Sequence, residues 1–259
     1  MSHDEDDRRD RPWETAADPV GQEPPVAGAQ RPVGRREPIL NLAPVVAGIA
    51  GLCIAIHLVR AQFLNADQDI ELLLRTAFIP VRYVGVYDID LWAITSPVTY
   101  SLLHGDIIHL AVNLVWLTAF GSPLAGRLGA ARFLLFWAVT SVAAAAVFFA
   151  FHPYDQAPLV GASGAISGMM GAAARFGFQI DRGRRPACFT GRPLAIGEVL
   201  RLRGVLVFLA VWLAVNLVTG LFGAVPGYEG QIAWEAHLGG FFAGFLGLPV
   251  LLGRKSREA

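Results

Sequence analysis

The sequence predicts an all-α, polytopic membrane protein with six transmembrane helices. Hydrophobic residues make up 54% of the chain and charged residues only 16%, and the mean hydropathy of +0.48 lies far from that of a soluble domain. The apolar residues form runs close to the roughly 20 residues that a helix needs to cross the hydrocarbon core. The predicted spans are Asn41–Val59, Ile107–Ala125, Phe133–Phe151, Ser163–Ile180, Gly204–Phe222 and Ala236–Leu252.

The segments that flank the spans differ in composition. Residues 1–38 are rich in Asp, Arg, Pro and Gly, with Trp13 as their only aromatic residue, so we expect a disordered cytoplasmic N-terminal tail. No short apolar stretch with a cleavage site follows the first charges, so a signal peptide is not expected. The six spans define a domain over residues 39–253, and residues 254–259 form a short cytoplasmic C-terminal tail.

The distribution of basic residues predicts the orientation. With the N-terminus in the cytoplasm, all but three of the 21 Lys and Arg residues fall on the cytoplasmic side, and the exceptions are Arg60, Arg75 and Arg82. Such a bias follows the positive-inside rule and favours an even number of spans. Cys53 and Cys188 fall in the first span and in a cytoplasmic loop, so no disulfide is expected.

A serine and a histidine in two predicted spans are the leading catalytic residues. Ser163 follows Gly161 and Ala162 at the start of the fourth span, and His237 lies near the start of the sixth. Polar reactive groups within a membrane are costly and therefore indicate function. A serine hydroxyl needs a base within hydrogen-bond reach to become a nucleophile. No Asp or Glu is predicted at the same depth in a span, which favours a Ser–His dyad over a triad.

A third polar motif, His104-Gly105-Asp106-Ile107-Ile108-His109-Leu110-Ala111-Val112-Asn113, marks the start of the second span. His109 and Asn113 are four residues apart and therefore share one helix face, whereas His104 belongs to the entry loop. The span order brings all three motifs to the outer ends of their helices. The side chains of Asn113 and His109, with the backbone N–H groups of Ala162 and Ser163, could stabilise an oxyanion.

Small residues recur every four positions in the fourth and sixth spans. Such faces allow two helix backbones to approach closely, which would bring Ser163 to His237. The residues concerned are Gly164, Gly168 and Ala172 in the fourth span and Ala236, Gly240 and Gly244 in the sixth.

The chain resembles the rhomboid intramembrane serine proteases over about Ile39–Leu252. The resemblance rests on the GASG motif at 161–164, the HxxxxHxxxN pattern at 104–113 and the AHxxG motif at 236–240, in family order. It implies a rhomboid-like bundle with Ser163 as nucleophile and His237 as base. The resemblance further implies that Asn113, His109 and the backbone of Ala162 stabilise the oxyanion. Supporting roles are expected for His104, Gly161, Gly164 and Gly240.

The resemblance also implies partners and a location. Single-span membrane proteins are the implied substrates, cleaved within or near the outer leaflet of a bacterial inner membrane without cofactor or metal. The chain carries no HExxH zinc motif or P-loop, and no nucleic-acid partner is expected. Two positions depart from the family pattern: Ala93 follows Trp92 where many members have arginine, and Ser167 stands where many have an aromatic residue. Phe241 is an alternative support for His237.

Other interpretations remain for these residues. A GASG string alone also fits a helix-packing face, and His57, His152 and Asn216 fit structural hydrogen bonding between helices. A noncatalytic rhomboid-like protein that binds membrane clients is the main alternative function, although such proteins typically lack the serine or the histidine. A small-molecule transporter is disfavoured because neither a repeat nor paired charges at mid-membrane are found.

Overall fold

The computed structural model describes residues 42–85, 87–222 and 233–252, so the two predicted tails lie outside the described residues. The fold is helical, with one two-stranded antiparallel ladder in which Ile180 of β1 pairs with Phe189 of β2. Its elements are α1 (Pro44–Gln62), α2 (Ala66–Thr76), α3 (Leu91–Thr99), α4 (Ile107–Trp116), α5 (Ser122–Leu128), α6 (Ala130–Phe151), α7 (Ser163–Arg175), β1 (Ile180–Asp181), β2 (Cys188–Phe189), α8 (Ile196–Val199), α9 (Arg203–Phe222) and α10 (Trp234–Leu251).

Helices form at all six predicted spans, and the polytopic helical fold is confirmed. Within the described part of the chain, four helical stretches are long and apolar enough to cross a membrane: Pro44–Gln62, Ile107–Leu128, Ala130–Phe151 and Arg203–Leu221. The second of these joins α4 to α5 through a π-helical turn. The remaining two predicted spans correspond to α7 and α10, the helices that carry Ser163 and His237.

The fourth span is shorter than predicted. Helix α7 has 13 residues and ends at Arg175 instead of Ile180. Gly177 has a φ of +58°, in the left-handed region that favours glycine, and the chain then turns into β1. Every residue of α7 after Ser163 is buried, so protein surrounds this helix and its length need not match the thickness of the lipid.

Glycine allows α7 to pack tightly between α6 and α10. A Cβ on Gly240 would collide with the backbone of Gly164, and one on Gly244 would collide with the backbone of Gly168. On the other side of α7, a Cβ on Gly168 would lie 2.6 Å from a methyl group of Thr140 in α6. The predicted close approach of the fourth and sixth spans is confirmed, and the ascending order of these pairs makes α7 and α10 parallel.

The directions of the last four spans, α6, α7, α9 and α10, alternate. Helix α6 runs antiparallel to α7, because Thr140 lies near Gly168 while Ala144 lies near Gly164. Helix α9 runs antiparallel to α10, because the ring of Trp212 stacks on that of Phe241 while Gly220 lies against Trp234. The first residues of α7 and α10 therefore lie at the same end of the bundle.

Candidate active site

Ser163 begins α7 directly after a backbone turn that glycine makes possible. Gly161 has a φ of +124°, and its N–H donates to the carbonyl of Tyr100 at 3.0 Å. Ala162 is buried and is the N-cap residue of α7. The first N–H groups of a helix lack partners within that helix, so the turn presents backbone donors beside the serine hydroxyl.

His237 meets Ser163 across 74 residues of sequence. Its Nε2 lies 2.8 Å from Ser163 Oγ, and both residues are half-buried. This distance lies within the range of a hydrogen bond between a nucleophilic hydroxyl and its base. The contact joins the N-terminal turns of two parallel helices, and the glycine pairs described above hold those helices together.

The second ring nitrogen of His237 contacts Asn216 of α9. The distance from His237 Nδ1 to Asn216 Oδ1 is 2.5 Å, and Asn216 is buried. From the sequence, Asn216 was expected only to form an interhelical hydrogen bond, without a link to His237. Phe241, the alternative support, stacks on Trp212 with ring centroids 4.8 Å apart. One available signal was that Asn216 is a lone amide in an otherwise apolar span.

Helix α4 brings His109 and Asn113 to the same end of the bundle. The carboxylate of Asp106 caps this helix by accepting from the backbone N–H of His109 at 2.8 Å. Asn113 is buried, and its Nδ2 donates to the His109 carbonyl at 2.9 Å. A Cβ on Gly161 would lie 2.7 Å from His109 Nε2, so the imidazole packs against the turn that precedes Ser163.

His104 lies in the connection before α4, as predicted, and its ring packs against His109. It is buried, its ring meets that of His109 edge-on with centroids 5.2 Å apart, and its carbonyl accepts from Arg60 at 2.8 Å. Burial, with smaller contributions from His109 and His57, lowers the pKa of His104 from 6.5 to about 3. The ring is therefore neutral at physiological pH.

Glu235 is helical, although the predicted sixth span begins one residue later, at Ala236. It belongs to the first turn of α10 instead of the preceding loop, and its carboxylate contacts His152 Nε2 at 3.0 Å. This contact joins the end of α6 to the start of α10 and gives His152 the structural hydrogen bond considered for it. Among the residues that the structure describes, no group of three or more His, Cys, Asp or Glu could hold a metal ion.

Comparison with known proteins identifies the family. The family model described as "Rhomboid domain" matches residues 91–254, which is more than half of the chain. The chain belongs to the rhomboid family. Family membership and the apolar helices together make this rhomboid chain an integral membrane protein.

Two curated relatives are named as proteases. The rhomboid chain is 37% identical over 81 residues to "Rhomboid protease GluP" of Bacillus subtilis, an alignment that covers 31% of the chain and 15% of that relative. It is 24% identical over 204 residues to "Rhomboid protease GlpG" of Yersinia pestis, which covers 78% of the chain and 61% of the relative. The chain thus spans less than two thirds of the length of either protein.

Proposed function

We propose that this rhomboid protein is an intramembrane serine endopeptidase with Ser163 as nucleophile and His237 as general base. The observation that carries the proposal is the 2.8 Å contact between Ser163 Oγ and His237 Nε2. A protein that only binds membrane clients needs neither group, whereas acyl transfer needs both in contact. The names of the curated relatives add support from outside the geometry.

The proposed reaction proceeds through an acyl-enzyme. His237 Nε2 accepts the proton of Ser163 as Oγ attacks the carbonyl carbon of the scissile peptide bond. The imidazolium then protonates the leaving amine, and the C–N bond breaks. Water, deprotonated by the same imidazole, hydrolyses the ester and releases Ser163. Apart from the peptide substrate and water, the reaction needs no other reactant.

The tetrahedral intermediate carries a negative charge that the surrounding donors would stabilise. The backbone N–H groups at the start of α7, from Ala162 and Ser163, are the first candidates. The His109 ring, which packs against Gly161, and the amide of Asn113 are the side-chain candidates. One N–H of the Asn113 amide is used by the His109 carbonyl, which leaves the other for an oxyanion.

We further propose that the substrates are single-span membrane proteins, cut within or near the outer leaflet of a bacterial inner membrane. Helices α7 and α10 begin at one end of the bundle, where His109 of α4 packs against Gly161, and the bias of basic residues favours the outer face for that end. A site buried among helices at this depth is suited to a chain segment that is itself in the membrane.

The test is cleavage of a model single-span substrate by the purified protein in liposomes. Ser163→Ala and His237→Ala should each abolish cleavage, and a fluorophosphonate probe should label the wild type at Ser163. The matched control is Ser167→Ala, which removes a buried hydroxyl one turn further along α7 and should retain cleavage. Cleavage by Ser163→Ala at the wild-type rate would refute the assignment. Client binding without any cleavage or labelling would favour the noncatalytic alternative.

A further inference from the structure

We propose that Asn216 is a positioning residue that fixes the imidazole of His237 for proton transfer. This inference rests on the proposed protease function. Asn216 Oδ1 lies 2.5 Å from His237 Nδ1, the ring nitrogen opposite the one that contacts Ser163. Ser163, His237 and Asn216 therefore form a continuous chain of hydrogen bonds across α7, α10 and α9.

The second hydrogen bond of Asn216 determines which end of the amide faces His237. Its Nδ2 donates to the carbonyl of Trp212 at 2.7 Å, one turn earlier in α9. An amide flip would place two oxygens against each other at that contact, so Oδ1 is the end beside the imidazole. An oxygen at this position only accepts, so His237 Nδ1 must carry the proton. Nε2 then presents its lone pair to the Ser163 hydroxyl.

Contacts along the α9–α10 interface hold the amide in register. One turn before Asn216, the ring of Trp212 stacks on Phe241, which lies one turn after His237. One turn after Asn216, Gly220 allows close approach of the Trp234 side chain, because a Cβ there would collide with the ring. The Asn216–His237 pair is thus the middle one of three successive contacts between antiparallel helices.

The buried amide of Asn216 lies on a helix whose other face is aliphatic. Its other face carries large exposed aliphatic side chains, among them Val207, Val211 and Val215, as expected for a surface against lipid. A buried amide on such a helix is costly unless it has a partner, and here both polar ends have one. Asn216 supplies the orienting acceptor that a carboxylate supplies in a serine triad, without adding a charge.

The test compares Asn216→Leu with Asn216→Asp in the liposome cleavage assay. Asn216→Leu removes the acceptor and leaves Nδ1–H without a partner, and kcat should fall by about 10- to 100-fold with KM little changed. Asn216→Asp keeps an acceptor oxygen but loses the donor to Trp212, so its kcat should lie between those of the wild type and Asn216→Leu. Asn216→Ala replaces Asn216→Leu if the latter does not fold.

Thr219→Val is the matched control for these variants. It removes a hydroxyl that donates to a carbonyl one turn earlier in its own helix, that of Val215. Asn216 makes the same kind of hydrogen bond to Trp212. The Thr219→Val variant should leave kcat unchanged. A spectroscopic readout separates positioning from stability. The ¹⁵N shifts of the His237 ring should report the Nδ1–H tautomer in the wild type and a tautomer mixture in Asn216→Leu.

The outcomes distinguish this inference from the proposed function. If the wild type shows no cleavage and Ser163 is not labelled, the proposed protease function is refuted. The ¹⁵N spectrum would still test the contact between Asn216 and His237. A labelled, active wild type with an equally active Asn216→Leu variant and unchanged ring shifts would refute the positioning role alone. A tautomer change together with the ordered loss of kcat would support it.

Discussion

Replacement of Gly244 by alanine should slow the enzyme without touching a reacting group. An added Cβ would lie 2.6 Å from Gly168 Cα and would overlap the carbonyl of the same residue. Carbon atoms pack comfortably at about 3.5 Å, so α7 and α10 must separate by about 1 Å. Overpacking of this kind costs roughly 1–3 kcal/mol of stability. A 1 Å displacement of reacting atoms can lower the rate by roughly 100-fold.

Gly247→Ala provides the matched control in the same helix. A Cβ at Gly247 meets nothing within 4 Å, so this variant adds the same methyl group and the same helix propensity without a collision. We expect kcat for a single-span substrate and the detergent Tm to fall for Gly244→Ala and to stay near wild type for Gly247→Ala. Equal kcat and Tm for the two variants would refute the claim that glycine packing sets the distance from Ser163 to His237.

Three further predictions concern the oxyanion, the pH dependence and the orientation. Asn113→Ala should lower kcat by roughly 10²–10³ with little change in KM, and an unchanged kcat would remove Asn113 from the site. Because the pKa of His104 falls from 6.5 unfolded to about 3 folded, its contribution is present above pH 6.5 and is lost as the pH falls. The free energy of unfolding in detergent should therefore fall between pH 7 and pH 5 by about 2 kcal/mol less for His104→Gln than for the wild type. Equal falls for the two proteins would contradict this. Reporters fused after Arg185 should be cytoplasmic and those at Tyr154 external, and the reverse pattern would invert the orientation.

The sequence predicted the helices and the order of the motifs because both are local properties. Apolar runs locate the helices, and Ser163 was placed correctly at the start of the fourth span. Helix α2 was missed, although Asn65 and Gln68 form a capping box that the sequence carries. Its charged residues interrupt the kind of apolar run from which the spans were predicted. The early end of α7 was missed because the residues after Arg175 remain apolar while the turn at Gly177 depends on packing.

The contact between Asn216 and His237 could not be predicted for a different reason. Spacing along one helix shows which residues share a face, but it does not show how that helix is rotated against its neighbour. That rotation is fixed here by one contact on each side of the Asn216–His237 pair. Trp212 stacks on Phe241 on one side, and Gly220 lies against Trp234 on the other. Ser163 and His237 were easier to pair because the small residues on both of their helices indicated an interface in advance.

Helix α10 therefore meets its two neighbours in two physically different ways. Gly240 and Gly244 bring its backbone against that of α7, and such a contact resists small displacements because no side chain can rotate to absorb them. Towards α9, the contact is made by side chains whose rotamers can change. The distance from Ser163 to His237 is thus set by backbone packing, and the tautomer and rotation of the imidazole are set by Asn216. Because both act on one proton transfer, Gly244→Ala combined with Asn216→Leu should cost less than the product of the separate losses.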